Sequence, residues 1–123
     1  MSTVAETRKI ATSLPTVEDT STELTLAFDV QKKGFAWSWK ERIDPRKARV
    51  PNLNVLAVRC TPEEKEGMLA TEPDKYFTEP HYNGYPAILV RLDNVTEAEL
   101  RTLFTRAVEL VTKAKPARKR VRG

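Results

Sequence analysis

Cysteine occurs once in this 123-residue chain, at Cys60, histidine once, at His81, and glycine four times, at positions 34, 67, 84 and 123. A single cysteine excludes a disulfide within the chain, and one histidine with one cysteine cannot supply the roughly four nitrogen or sulfur ligands of a structural zinc site. Four scattered glycines build no nucleotide-binding loop. No metal or cofactor is therefore expected. The longest apolar runs are four residues, Val55 to Val58 and Ala87 to Val90, against the ~20 that cross a bilayer. No membrane partner is expected either. The opening MSTVAETRKIATSL has no apolar core of the kind a secretory signal carries, and the expectation is a cytoplasmic protein.

Basic charge is also scarce where a nucleic-acid-binding body would carry it. The formal net charge is +4, but six of the 21 Lys and Arg lie in the last eleven residues, KAKPARKRVRG, which hold no acid. Residues 1–112 keep 15 basic residues against all 17 acidic ones. The tail alone makes the protein cationic. We expect one domain over 1–112, long enough for a core without staples, and a basic tail over 113–123 that is disordered beyond about Lys115, where Pro116 and the charge run begin.

The patterning that is present is α+β. Ser2 or Thr3 caps a helix to about Leu14, which Pro15 stops. Leu24, Leu26, Phe28 and Val30 alternate with polar or small residues as a half-buried strand does. Gln31 to Gly34 reads as a turn into an antiparallel partner in which Phe35, Trp37 and Trp39 share one face. Glu41 to Asn52 is a proline-containing connection and the densest basic cluster of the body. Leu53 to Cys60 is a strand covered on both faces, with Leu56, Val58 and Cys60 on one and Leu53, Val55 and Ala57 on the other. Thr61, Pro62 and Glu64 open a short helix that ends near Glu72. After the turn chemistry of Asn83, Gly84 and Pro86 comes the buried strand Ala87 to Leu92. Thr96 and Glu99 then box a long helix whose apolar face runs through Leu100, Phe104, Ala107 and Val111. A largely antiparallel sheet, with the N- and C-terminal helices packed on one face, buries all of these stripes.

This order of elements resembles the YjbR/MmcQ family of small bacterial proteins. The residues that carry the resemblance are Leu14-Pro15, Phe28, Val30, Phe35, Pro62-Glu63-Glu64 and, most specifically, Phe77, Pro80-His81-Tyr82, Gly84-Tyr85-Pro86 and Leu89 to Leu92. It spans roughly residues 4 to 114. It implies a compact frataxin-like fold with two protruding hairpins, a double wing proposed to bind DNA. The two tryptophans of the second strand, the Arg/Lys connection after it and the basic tail depart from the family's pattern.

Several groups are candidates for function, each set against a plainer role. His81 beside Tyr82, Tyr85 and Trp39 is a candidate ligand pocket, although a hydrogen-bonded loop histidine is the favoured reading. A Cys60–His81 nucleophilic pair is conceivable, but nothing evident activates a cysteine at the end of a buried strand. Trp37 and Trp39, near Lys32, Lys33, Lys40 and Arg42, have the composition of a base-stacking platform; core packing is the favoured alternative. Arg42, Arg46, Lys47 and Arg49 in the connection, with Lys113, Lys115, Arg118, Lys119, Arg120 and Arg122 in the tail, are candidate phosphate contacts. The expected function is a monomeric, non-enzymatic DNA-binding module, the rival being a protein-interaction or small-ligand scaffold.

Overall fold

The computed structural model describes residues 3–23, 25–41, 46–48 and 50–121; the side chains at 41, 51, 81 and 113–121 are outside that description. The described elements run α1 (Val4–Thr12), β1 (Val17–Asp19), β2 (Ala27–Val30), β3 (Lys33–Glu41), β4 (Val50–Arg59), α2 (Pro62–Thr71), β5 (Tyr76–Phe77), a 3-10 turn at Pro80–Tyr82, β6 (Ala87–Arg91) and α3 (Glu97–Val121). Among the described residues the strands form one antiparallel sheet in the order β1-β2-β3-β4-β6-β5. The fold is α+β.

Local chemistry starts each helix. Thr3 caps α1 and exchanges hydrogen bonds with Glu6, Thr61 does the same with Glu64 for α2, and Thr96 with Glu99 for α3. Each box satisfies two backbone N–H groups that the first turn would otherwise leave open. Between α1 and β2 lies β1, a three-residue edge strand that the sequence patterning does not reveal. The β2–β3 turn is Gln31-Lys32, shorter than the expected Gln31 to Gly34. Both residues have positive φ, 53° and 65°, the pair of values that a tight hairpin of this hand requires.

The main core lies between the sheet and the helices. Its centre is a ring cluster, with Phe104 of α3 5.8 Å from Phe35 and 6.1 Å from Phe28. All three rings are fully buried, as are Leu56, Val58, Ile88, Val90 and Leu100 around them. Each such side chain contributes about 1.5–3 kcal/mol by leaving water.

The placement of Phe35 corrects the expected strand pattern. It does not share a face with Trp37 and Trp39. Phe28 pairs with Ala36 and Asp29 with Gly34, leaving Phe35 as an extra residue in β3. Such a bulge breaks the alternation. Phe35 therefore enters the helix-side core, while Trp37 and Trp39 pack with Val55, Ala57 and Leu89 on the opposite, helix-free face.

A second irregularity shapes the β3–β4 hairpin. Ser38 pairs with Leu56 but Trp39 pairs with Asn52, so β4 carries residues 53–55 in excess. This explains why Leu53 packs toward the helix-side core while Val55 packs on the open face. Beyond the bulge β4 has only β3 beside it, and Pro51, which has no N–H to donate, is accommodated opposite Lys40. The strands thus extend into what the sequence reads as the connection Glu41 to Asn52. At the other end of the chain, α3 runs to Val121 through Pro116.

Candidate functional site

The basic residues singled out in the sequence fall at two ends of the sheet. Lys32 lies in the β2–β3 turn and Lys33 opens β3 beside it. Lys33 shares a surface cleft of about 370 Å³ with Arg59, Cys60, Pro62, Leu110 and Val111, so α3 passes that end of the sheet at Leu110 and Val111. The backbone positions of Lys113, Lys115, Arg118, Lys119 and Arg120 follow on this helix; their side chains, and all of Arg122, are outside the described residues. Arg46 and Lys47 are exposed at the other end of β3, in the β3–β4 hairpin. Arg42 and Arg49, neighbours of that pair in sequence, are outside the described residues. At about 3.3 Å per residue, β3 separates the two ends by about 26 Å.

The ligand-pocket candidates belong instead to the open face. After β5 at the sheet edge, residues 78–86 fold back over β6 and β4 as far as β3. Trp37 Nε1 donates to Tyr82 Oη at 3.1 Å, and Trp39 Nε1 donates to Glu79 Oε2 at 3.3 Å. Tyr82 and Tyr85 stand edge-to-face at 5.8 Å, and Trp39 meets Phe77 in the same way at 5.4 Å. Tyr82, Tyr85 and Trp39 are thus brought into one layer. The side chain of His81 lies outside the described residues.

Lys65 of α2 anchors this fold-back from beneath. It is 7% exposed, and its ammonium donates to the backbone carbonyls of Tyr82 and Tyr85. Burial pulls its pKa below the usual lysine value, against a weaker opposing influence from Cys60. Two carbonyl dipoles solvate the charge where water does not. No feature of the sequence marks Lys65, because its partners are backbone atoms of a distant loop.

Two arginines complete the open face. Arg59 of β4 lies 5.4 Å from the Trp37 ring centroid and 5.9 Å from that of Tyr85, with Nε donating to the Gly34 carbonyl at 2.8 Å. Arg91 of β6 lies 4.2 Å from the centroid of Phe77. Strand alternation was a usable signal for both: Arg59 follows Val55 and Ala57 at period two, and Arg91 follows Leu89.

Cys60 sits below the surface at 5% exposure, and burial, reinforced by the nearby Glu64 carboxylate, pushes its thiol up to about 11. At neutral pH it is a protonated core thiol. A second cleft, about 450 Å³ and lined chiefly by Met68, Gly67, Leu103 and Thr102, separates α2 from α3 beside it. Glu64 and Arg106 pair at 2.6 Å among its lining residues. Among the described residues no three His, Cys, Asp or Glu side chains gather as a metal site requires, and no helix is long and apolar enough to cross a membrane.

With this geometry in view, the YjbR family model matches residues 12–110. The chain belongs to the YjbR family. Uncharacterized proteins of Mycobacterium bovis and Mycobacterium tuberculosis are 38% identical over 85 residues, which is 63% of this chain and 66% of theirs. The crystal structure of a Deinococcus radiodurans protein with a DUF419 domain is similar at a TM-score of 0.66 and 26% identity, covering 92% of this chain and 80% of that one. The YjbR match spans the aromatic open face, the fold-back and the β3–β4 hairpin, and stops before the basic tail.

Proposed function

We propose that this YjbR protein is a monomeric, non-enzymatic DNA-binding module that grips phosphates and reads little sequence. The observation that carries the reading is the meeting of Lys33, next to Lys32 of the β2–β3 turn, with Leu110 and Val111 of α3, whose continuation holds most of the tail's basic positions. That juxtaposition concentrates cationic chain at one end of a body that is otherwise slightly acidic. Arg46 and Lys47 offer a second contact at the far end of the hairpin. The length of β3, about 26 Å, holds the two contacts apart on the scale of one turn of duplex, about 34 Å. Charge also sits on a turn whose backbone does not favour it: Asn-Gly adopts two positive φ values readily, whereas Gln31-Lys32 does so at a cost of about 1–2 kcal/mol per residue.

The test is a duplex titration across a salt series. Each phosphate neutralised contributes about 0.9 to the slope of log affinity on log salt. Ending the chain at Thr112 should flatten the slope without abolishing it, and replacing Lys32 and Lys33 by Glu in the shortened chain should remove most of what remains. A shortened body with no salt-sensitive affinity would leave binding to the tail alone and sink the reading for the domain.

A further inference from the structure

The open face of the sheet carries an arrangement that phosphate binding at the two ends does not use. Its arginines differ from those on the helix side. Arg8 is paired with Asp19, Arg106 with Glu64 and Glu109, and Arg101 donates to Ser13. By contrast, the Arg91 guanidinium makes no hydrogen bond or ion pair among the described residues. Arg59 spends only Nε, on the Gly34 carbonyl. Both lie against aromatic rings with their remaining N–H donors uncommitted. A guanidinium held by a ring in this way keeps its in-plane fork available for an anion.

The register places these two forks at opposite ends of one strip. Arg59 pairs with Ala87 and Arg91 with Val55, with Ala57 and Leu89 between them, so their backbones are about 14 Å apart. Along the strip stand Trp37, Trp39 and Phe77, half-buried with Ala57 and Leu89 under the fold-back, and Tyr85, which at 40% exposure is the ring open to a ligand. Both indole N–H groups already have acceptors, and Lys65 anchors the loop that supplies them. The rings are therefore preorganised, and binding against them orders little that is not already ordered.

We infer that this strip is a binding track for a single-stranded nucleic acid, with an unpaired base packing on the exposed Tyr85 ring and phosphates meeting Arg59 and Arg91. The charge and the rings select together: an acidic peptide would use the forks and leave the rings idle, whereas duplex DNA keeps its base faces inside its own stack. The inference deepens the nucleic-acid reading above and rests on it.

The chain has two tryptophans, and both line this strip, so their emission reports its occupancy. The full-length protein is titrated with oligothymidylate, oligouridylate, a duplex, thymidine monophosphate and inorganic polyphosphate. Single strands should quench the emission saturably, and preference between the first two identifies DNA or RNA as the source. Quenching by the monophosphate at equal affinity would overturn the track in favour of a single-nucleotide site. Tyr85→Ala should weaken single-strand binding about 5- to 150-fold, the range for losing one stacked base. Arg91→Ala should weaken it and lower the salt slope by about one; both residues are exposed, and unchanged circular dichroism would confirm the fold. If the duplex binds with salt sensitivity while single strands neither quench nor respond to the two substitutions, the track is refuted and the phosphate reading stands. If no nucleic acid binds, both fall.

Discussion

At the scale of single residues, Lys65 bears most directly on the candidate site. Its ammonium is buried beneath the fold-back and is held by the carbonyls of Tyr82 and Tyr85. Lys65→Met keeps the stem and removes the charge, but strands two carbonyls, each costing about 1–3 kcal/mol when buried without a donor. The expected outcome is a loss of that order in denaturant unfolding, together with a red-shifted tryptophan emission as Tyr82 loosens from Trp37. An unchanged spectrum would show that the ring layer holds its own position. Such a residue is illegible in sequence because its role depends on where a distant loop returns. Thr61 and Thr96 were legible for the opposite reason, since a capping box is complete within four residues, whereas Thr3 stood as one of two candidate caps with Ser2.

At the scale of elements, α3 holds the molecule together through one ring. Phe104 is fully buried against Phe28 and Phe35, so it joins the helix to two strands at once. Phe104→Ala is expected to cost about 3–5 kcal/mol, a large part of the roughly 5–15 kcal/mol that a domain has in total, and urea denaturation would read it directly. The apolar stripe of α3 and the buried run Ala87 to Val90 could be read from periodicity, because each is long or continuous. Three elements could not. β1 has three residues and one apolar side chain, too few for a period to show. The extension of β4 through Pro51 depends on β3 being its only neighbour there. The face of Phe35 depends on a register slip between two strands, and the alternation Phe35, Trp37, Trp39 pointed to the wrong side.

For the molecule as a whole, the ion pairs that join separate elements set the response to pH. Lys75, just before β5, bonds Glu72 after α2 and Glu99 in the first turn of α3, at 2.7 and 2.6 Å. The Lys75 hydrogen bond, then the Thr96 backbone N–H, holds the Glu99 carboxyl below its ordinary value of 4.5. A carboxylate depressed in the folded state stabilises above its unfolded pKa, and that contribution disappears as pH falls through the lower folded value. Lys75 is raised above its ordinary 10.5, first by Glu72 and then by Glu99. Its contribution is present below that pH and is lost as pH climbs through the folded value. Lys75→Met should therefore lower the melting temperature at neutral pH and shrink the further fall on acidification below pH 4.5. Equal acid sensitivity in the two proteins would mean that the cluster carries no linkage. The bulge also decides how β3 answers a change in its length. Its extra residue, Phe35, lets one strand supply a ring to the helix-side core and two indoles to the open face. Losing the codon for Ala36 would seat Phe35 opposite Phe28 in a regular ladder and leave Trp37 opposite Ala27, so the spare residue would absorb the deletion and both faces would keep their contents.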